Sequence, residues 1–186
     1  MYSEEQDNTM SEYAEAAQRL RGVFTFLERN SIKIPRTEFT STIGEWLVMD
    51  QLLQYGYSPT LQSGQYDVDI LLKNGDGVEV KAATWDSDFG GVYRFDRIKP
   101  EKLDHLVCVT LLDDYSKAEY FVFSGDDVDS LPPRNQTAFK DPQRIDNQRL
   151  IRILDSPEDS NRQDMMDLNL RLEEFRDAWH KLPPVK

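Results

Sequence analysis

Asp67, Asp69, Glu79 and Lys81 stand close together in the chain at alternating positions. The residues between them are apolar: Val68, Ile70 and Leu72 on one side of Asn74-Gly75-Asp76, and Val78, Val80 and Ala82 on the other. Alternation of this kind, broken by a turn signal, predicts two strands, 66–73 and 77–84, paired as a hairpin. With residues 74–76 as the loop, Leu72 faces Val78, Ile70 faces Val80 and Val68 faces Ala82, so one face is wholly apolar. The other face pairs Asp69 with Lys81 and Asp67 with Ala83, and carries Glu79 opposite Leu71. A loop of two or four residues would place Glu79 and Lys81 on the face opposite the aspartates and would split the apolar set, so the hydrophobic pattern selects this register. Same-face neighbours along a strand are ~7 Å apart and partners across the ladder ~5 Å. Carboxylates at that spacing can hold a hard divalent cation. A lysine beside them can touch an attacking water or a developing negative charge, a layout suited to metal-assisted phosphodiester hydrolysis. The same alternation also serves the solvent face of an ordinary strand.

The elements that must position these residues follow from periodicity. Thr9-Met10-Ser11-Glu12 has the spacing of a capping box, and Tyr13, Ala16, Leu20, Val23, Phe24 and Leu27 recur behind it at helical intervals. A first helix is therefore expected to end near Asn30. Thr42-Ile43-Gly44-Glu45 repeats the capping-box pattern and predicts a second helix, largely buried, that ends near Gly56. Short strands are expected at 92–95, 106–112 and 119–123, a short helix at 126–131, a strand at 149–154 and a final helix at 164–182. The run 106–112 is apolar on both faces, as a central strand would be.

Composition narrows the class. The 186 residues include 22 Lys+Arg against 34 Asp+Glu, a net charge of -12. Such a balance disfavours a protein that coats nucleic acid without specificity, because phosphate contacts need cations. Charge is unevenly spread, however. Residues 134–152 hold five basic side chains (Arg134, Lys140, Arg144, Arg149 and Arg152) against Asp141 and Asp146, a net of +3. This stretch is the expected nucleic-acid-binding surface. Its alternative reading is a basic patch paired internally with the acidic segments 1–16 and 113–129. A second cationic cluster, Arg94, Arg97, Lys99 and Lys102, is diluted by Asp96 and Glu101. Cys108 is the single cysteine and sits in the apolar run, so a buried thiol is expected. The first residues show no basic and apolar leader, and no apolar run is long enough to span a bilayer, which predicts a cytoplasmic protein with no membrane partner.

Taken in order, Thr42-Ile43-Gly44-Glu45-Trp46-Leu47, Tyr57, Gln65-Tyr66-Asp67-Val68-Asp69 and Val78-Glu79-Val80-Lys81-Ala82 resemble the PD-(D/E)xK nuclease superfamily. The resemblance covers roughly residues 38–125 and is closest to small bacterial members of largely unassigned function. It implies an α/β, restriction-endonuclease-like fold: a mixed β-sheet core flanked by helices, here with N- and C-terminal helical extensions. As domains, it implies a single unit over 1–186, with an N-terminal helical extension at 1–37, a nuclease-like core at 38–131 and a basic segment with a C-terminal helix at 132–186. Glu79 matches the acidic metal ligand and Lys81 the lysine of the motif. Asp67 takes the motif aspartate, with Asp69 as the competing assignment. Glu45 matches the helix glutamate that supports the metal, or else it is only the capping partner of Thr42. Tyr66 stands where the motif nominally has proline.

The implied activity is Mg²⁺-dependent (or Mn²⁺-dependent) hydrolysis of phosphodiester bonds, with DNA as the implied partner and a homodimer or a larger defence or repair assembly as the implied setting. Two other readings stay open from the sequence: a non-catalytic nucleic-acid-binding or scaffold subunit of such an assembly, and an acidic DNA mimic.

Overall fold

Strand β5 (His105–Leu111) is buried along its whole length and lies inside a five-stranded sheet of order β1-β2-β3-β5-β6. The computed structural model describes residues 11–32, 36–62, 68–85, 92–131, 148–153 and 172–185. The sheet is mixed. Strand β3 (Gly77–Thr84) runs parallel to β5, from Val78 opposite His105 to Thr84 opposite Leu111. Strand β6 (Ala118–Ser124) is antiparallel to β5, and the short strands β1 (Thr60–Leu61) and β2 (Ile70–Leu71) extend the other side antiparallel. The expected α/β architecture, a mixed sheet flanked by helices, is what the chain forms.

Each face of the sheet carries its own core. On one face, Val78, Val80, Val107, Val109 and Val122 pack with residues of helices α1 (Glu12–Arg29) and α2 (Arg36–Gln54), among them Phe24, Ile43, Val48 and Leu52. On the other, Leu106, Cys108, Phe121 and Phe123 pack with strands β4 (Tyr93–Ile98) and β7 (Arg149–Ile153), which form a separate antiparallel pair. Val128 of helix α3 (Gly125–Ser130) closes that side. Cys108 is fully buried, and burial pushes its thiol far above the usual range, as its apolar neighbours predict. No helix among the described residues is long and apolar enough to cross a membrane.

Four expectations change. Helix α1 is capped by Ser11, whose side chain accepts from Ala14 N–H at 3.2 Å; its hydroxyl also reaches Asp50 of α2 at 2.5 Å. Helix α2 begins at Arg36, so Thr42 and Glu45 lie inside it and Glu45 is not a capping residue. In the hairpin, Ile70 faces Val78 and Leu71 faces Gly77, two residues away from the expected pairing. The loop is 73–75, closed by Leu72 N–H donating to Asp76 C=O at 2.9 Å, with Gly75 at φ 97°. A shift of two keeps every side chain on its face, so alternation could not detect it.

The last correction concerns the C-terminus. Leu172 is helical, but the helix does not run on to 182: two short 3₁₀ turns follow, Glu173–Phe175 and Trp179–Lys181, separated by Asp177 at φ 48°. Residues 164–171 lie outside the described residues. Leu172 and Phe175 belong to one core, while Ala178, Trp179 and Leu182 belong to the other. A single helical stripe cannot serve both faces of a sheet, whereas a chain that wraps the edge of β6 can.

Candidate active site

Strand β3 sets the site. Val78 and Val80 turn toward the helices and are 0% and 7% exposed. Glu79 and Lys81 therefore stand on the opposite face, half-buried, and their side chains form an ion pair. Strand β2 pairs with β3 only at Ile70 and Leu71. Where that ladder stops, the Asp69 carboxylate accepts the Val80 N–H at 2.7 Å, the place a strand carbonyl would otherwise fill. The Asp69 carbonyl in turn accepts Gln62 N–H at 2.8 Å, so the residue is held from both ends.

Helix α2 brings the fourth group. A Cβ on Gly44 would lie 2.5 Å from the Ala82 Cβ, so only glycine allows the helix to approach β3 this closely. The next residue, Glu45, then comes within electrostatic reach of the strand residues. Its carboxyl is raised above the ordinary range by burial first, then by the negative charges of Asp69 and Glu79; Lys81 offsets this only in part. Asp69 and Glu79 thus place negative charge beside a half-buried carboxyl, a repulsion that a divalent ion would relieve.

Glu45, Asp69, Glu79 and Lys81 lie within electrostatic reach of one another. Asp67, the other aspartate considered, lies outside the described residues, as do Arg134, Lys140 and Arg144. Among the described residues no three His, Cys, Asp or Glu side chains converge tightly enough to enclose a metal alone. Asp69 and Glu79 nonetheless supply hard oxygen donors of the kind Mg²⁺ uses, one or two carboxylates completed by water and phosphate. The donor set fits such an ion without forming a closed cage.

Of the expected nucleic-acid contacts, Arg149 is buried, with its guanidinium donating to the Asp129 carbonyl at 3.2 Å and carboxylate at 3.3 Å. Arg152 sits on β7 directly opposite Arg94 of β4. Neither lines the open cleft of about 410 Å³ that contains Asp69, Glu79 and Lys81. The cations that do line it are Arg97, Lys99 and Lys102, from the cluster whose net charge had looked diluted. The sequence signal for them was the two-residue spacing of Arg97 and Lys99 at the end of a strand that runs to Ile98 and not only to 95.

No protein-family model matches the chain, and no curated protein matches it. Among solved structures, the bacterial homing endonuclease I-Ssp6803I is similar, with 15% sequence identity and a TM-score of 0.49, over 78% of this chain and 92% of that one.

Proposed function

We propose that this chain is a divalent-metal-dependent nuclease of PD-(D/E)xK type, with a restriction-endonuclease-like core and DNA as its substrate. The observation that carries the reading is the convergence of Asp69, Glu79 and Lys81 in one cleft that Arg97, Lys99 and Lys102 also line, with Glu45 of α2 within electrostatic reach of the acids. A bound Mg²⁺ or Mn²⁺ would neutralise charge on the scissile phosphate and acidify a water. Asp69 and Glu79 would hold the ion, with Asp67 as the further aspartate of the motif. Lys81, anchored by Glu79, presents its ammonium where it can orient the attacking water or balance charge that develops on the phosphoryl oxygens. Glu45 would support the ion from the helix side, where an added positive charge would relieve the repulsion that raises its carboxyl.

The test is cleavage of labelled DNA with Mg²⁺ or with EDTA. Lys81→Ala and Glu79→Ala should each lose at least about 10²-fold in rate, the usual cost of removing one group that stabilises developing charge. Both variants should remain folded by circular dichroism. Unchanged cleavage in both would remove the assignment. The lack of a third close ligand among the described residues is what a non-catalytic nucleic-acid-binding subunit would also show. Calorimetric titration with Mn²⁺ separates the two: a nuclease site binds the ion and weakens on Asp69→Asn, and a scaffold gives no heat.

A further inference from the structure

Strand β4 carries an irregularity that the sheet does not need. Phe95 pairs with Ile151, yet Ile98 pairs with Arg149, so β4 holds one residue more than its partner between these points. The extra residue is accommodated at Asp96-Arg97, with Arg97 at φ 60°. Such a bulge position normally belongs to glycine, because a side chain there crowds its own backbone. Strain of this kind persists where the surrounding structure imposes it, and it concentrates at sites that bind or react.

What the bulge achieves is placement. Arg97 and Lys99 lie exposed on the wall of the cleft that holds Asp69, Glu79 and Lys81, and Lys102 follows from the 3₁₀ turn Pro100–Lys102. The acid that looked able to cancel Arg97 is engaged elsewhere. Asp96 accepts Arg94 Nη2 at 2.9 Å with one oxygen and the Arg97 backbone N–H at 2.9 Å with the other, so it secures the bulge. Among the described residues, Arg97 and Lys99 make no side-chain hydrogen bond or ion pair.

We propose that Arg97, Lys99 and Lys102 form the subsite for the backbone phosphates that flank the scissile bond. The choice of nucleic acid as occupant rests on the nuclease reading above; the phosphate-binding role rests on the cleft itself. Cations on one wall and carboxylates on the other divide the work. The acids and their ion act on one phosphodiester, and the three cations hold neighbouring phosphates in place. Of the expected 134–152 stretch, the described basic residues Arg149 and Arg152 lie off the cleft, while Gln148 lines it beside the three cations at the end of β4.

The experiment measures fluorescence anisotropy of a labelled mixed-sequence DNA duplex in EDTA over a salt series, with thermal melting and Mg²⁺-dependent cleavage alongside. Each phosphate contact contributes about 0.9 to the slope of log K against log salt. Arg97→Gly and Lys99→Ala should each lower that slope by about one, equally for any sequence, and the double variant by about two. Arg97→Gly should melt at or above the wild-type temperature, since glycine suits the bulge, and Arg97→Lys should keep the slope. A double variant with the wild-type slope, or a wild type with no salt-dependent binding, overturns the subsite. If the wild type cleaves and the double variant binds and cleaves equally well, the subsite falls and the nuclease reading stands. A wild type that never cleaves, but whose slope drops in the variants, leaves the phosphate subsite standing and removes the nuclease reading.

Discussion

The two outer sides of the sheet use the same charged residue types to opposite ends. At the edge of β6, the Glu119, Asp127 and Glu173 carboxylates each meet a cation. Arg176 binds Glu173 at 2.8 Å and also Glu119, and its guanidinium lies 4.7 Å from the Phe121 ring. Lys181 reaches the Asp127 carboxylate at 3.0 Å. Glu173 is lowered by its Arg176 hydrogen bond; burial works against Glu119 and Asp127, but Lys117 and Arg176 outweigh it at the first, and Ser124 and Lys181 at the second. Beside β3, where its described pairing with β2 stops, Glu45, Asp69 and Glu79 gather around Lys81, and Glu45 moves the other way. Paired charges over a covered strand edge stabilise and seal it. Repulsion such as Glu45 feels from Asp69 and Glu79 is free energy that a ligand can release, and that contrast distinguishes the two regions without reference to any motif.

Breaking the sealed edge should cost the most stability and the least chemistry. Arg176→Ala removes charge-assisted hydrogen bonds and a cation–π contact and leaves Glu119 and Glu173 facing each other. A loss of about 2 kcal/mol in urea unfolding is expected, with the half-exposed setting keeping it from being larger. Cleavage per folded molecule should not change. Gly44→Ala attacks the boundary between the two regions. Alanine gains up to about 1 kcal/mol of helix propensity, but the overlap with Ala82 costs about 1–3 kcal/mol. Because Ala82 is a rigid methyl on a strand, α2 must move back, and Glu45 moves with it. A net loss near 1 kcal/mol should therefore come with a fall in cleavage, whereas a stable and fully active variant would show that the close approach of α2 does not position the site.

The sequence revealed most of this through patterns whose period matches the structure. Alternation placed Glu79 and Lys81 on one face of β3, and continuous apolar character marked β5 as interior. It failed where two structures share one pattern. A hairpin shifted by two residues has the same alternation as the unshifted one. Thr42 and Glu45 have the spacing of a helix start but sit in a helix middle. The apolar residues of 172–182 recur at helical intervals, yet they serve two faces of a sheet. Charge counting failed at Asp96, because a tally cannot say that its partner is Arg94 and not Arg97. The candidate site was thus legible as a set of acids and a lysine; the cationic wall needed the bulge.

The smallest expected effect gives the sharpest distinction between the two edges, because its sign is opposite to intuition. Glu45→Gln removes a charge from the half-buried side of α2. In the folded chain the Glu45 carboxyl titrates above its usual value of 4.5, since burial and then Asp69 and Glu79 disfavour ionisation. Below the unfolded value, both states are protonated and the group contributes nothing. As pH rises through 4.5 and then through the raised folded value, the unfolded state ionises more easily and the folded state loses stability, a penalty complete above the raised folded value. Glutamine cannot ionise, so in EDTA at pH 7 the variant should be more stable than wild type by a few tenths of a kcal/mol. That advantage should vanish below about pH 4, under the unfolded carboxyl range. Added Mg²⁺ should stabilise the wild type by mass action and close or reverse the gap, because the ion relieves the repulsion that glutamine has already removed. The equivalent change at the sealed edge, Glu119→Gln, should destabilise at pH 7 with or without Mg²⁺, as its folded carboxyl titrates below the unfolded one. Melting curves for the two variants at pH 4 and pH 7 would decide the matter: the same sign for both at neutral pH in EDTA would erase the difference between the edges.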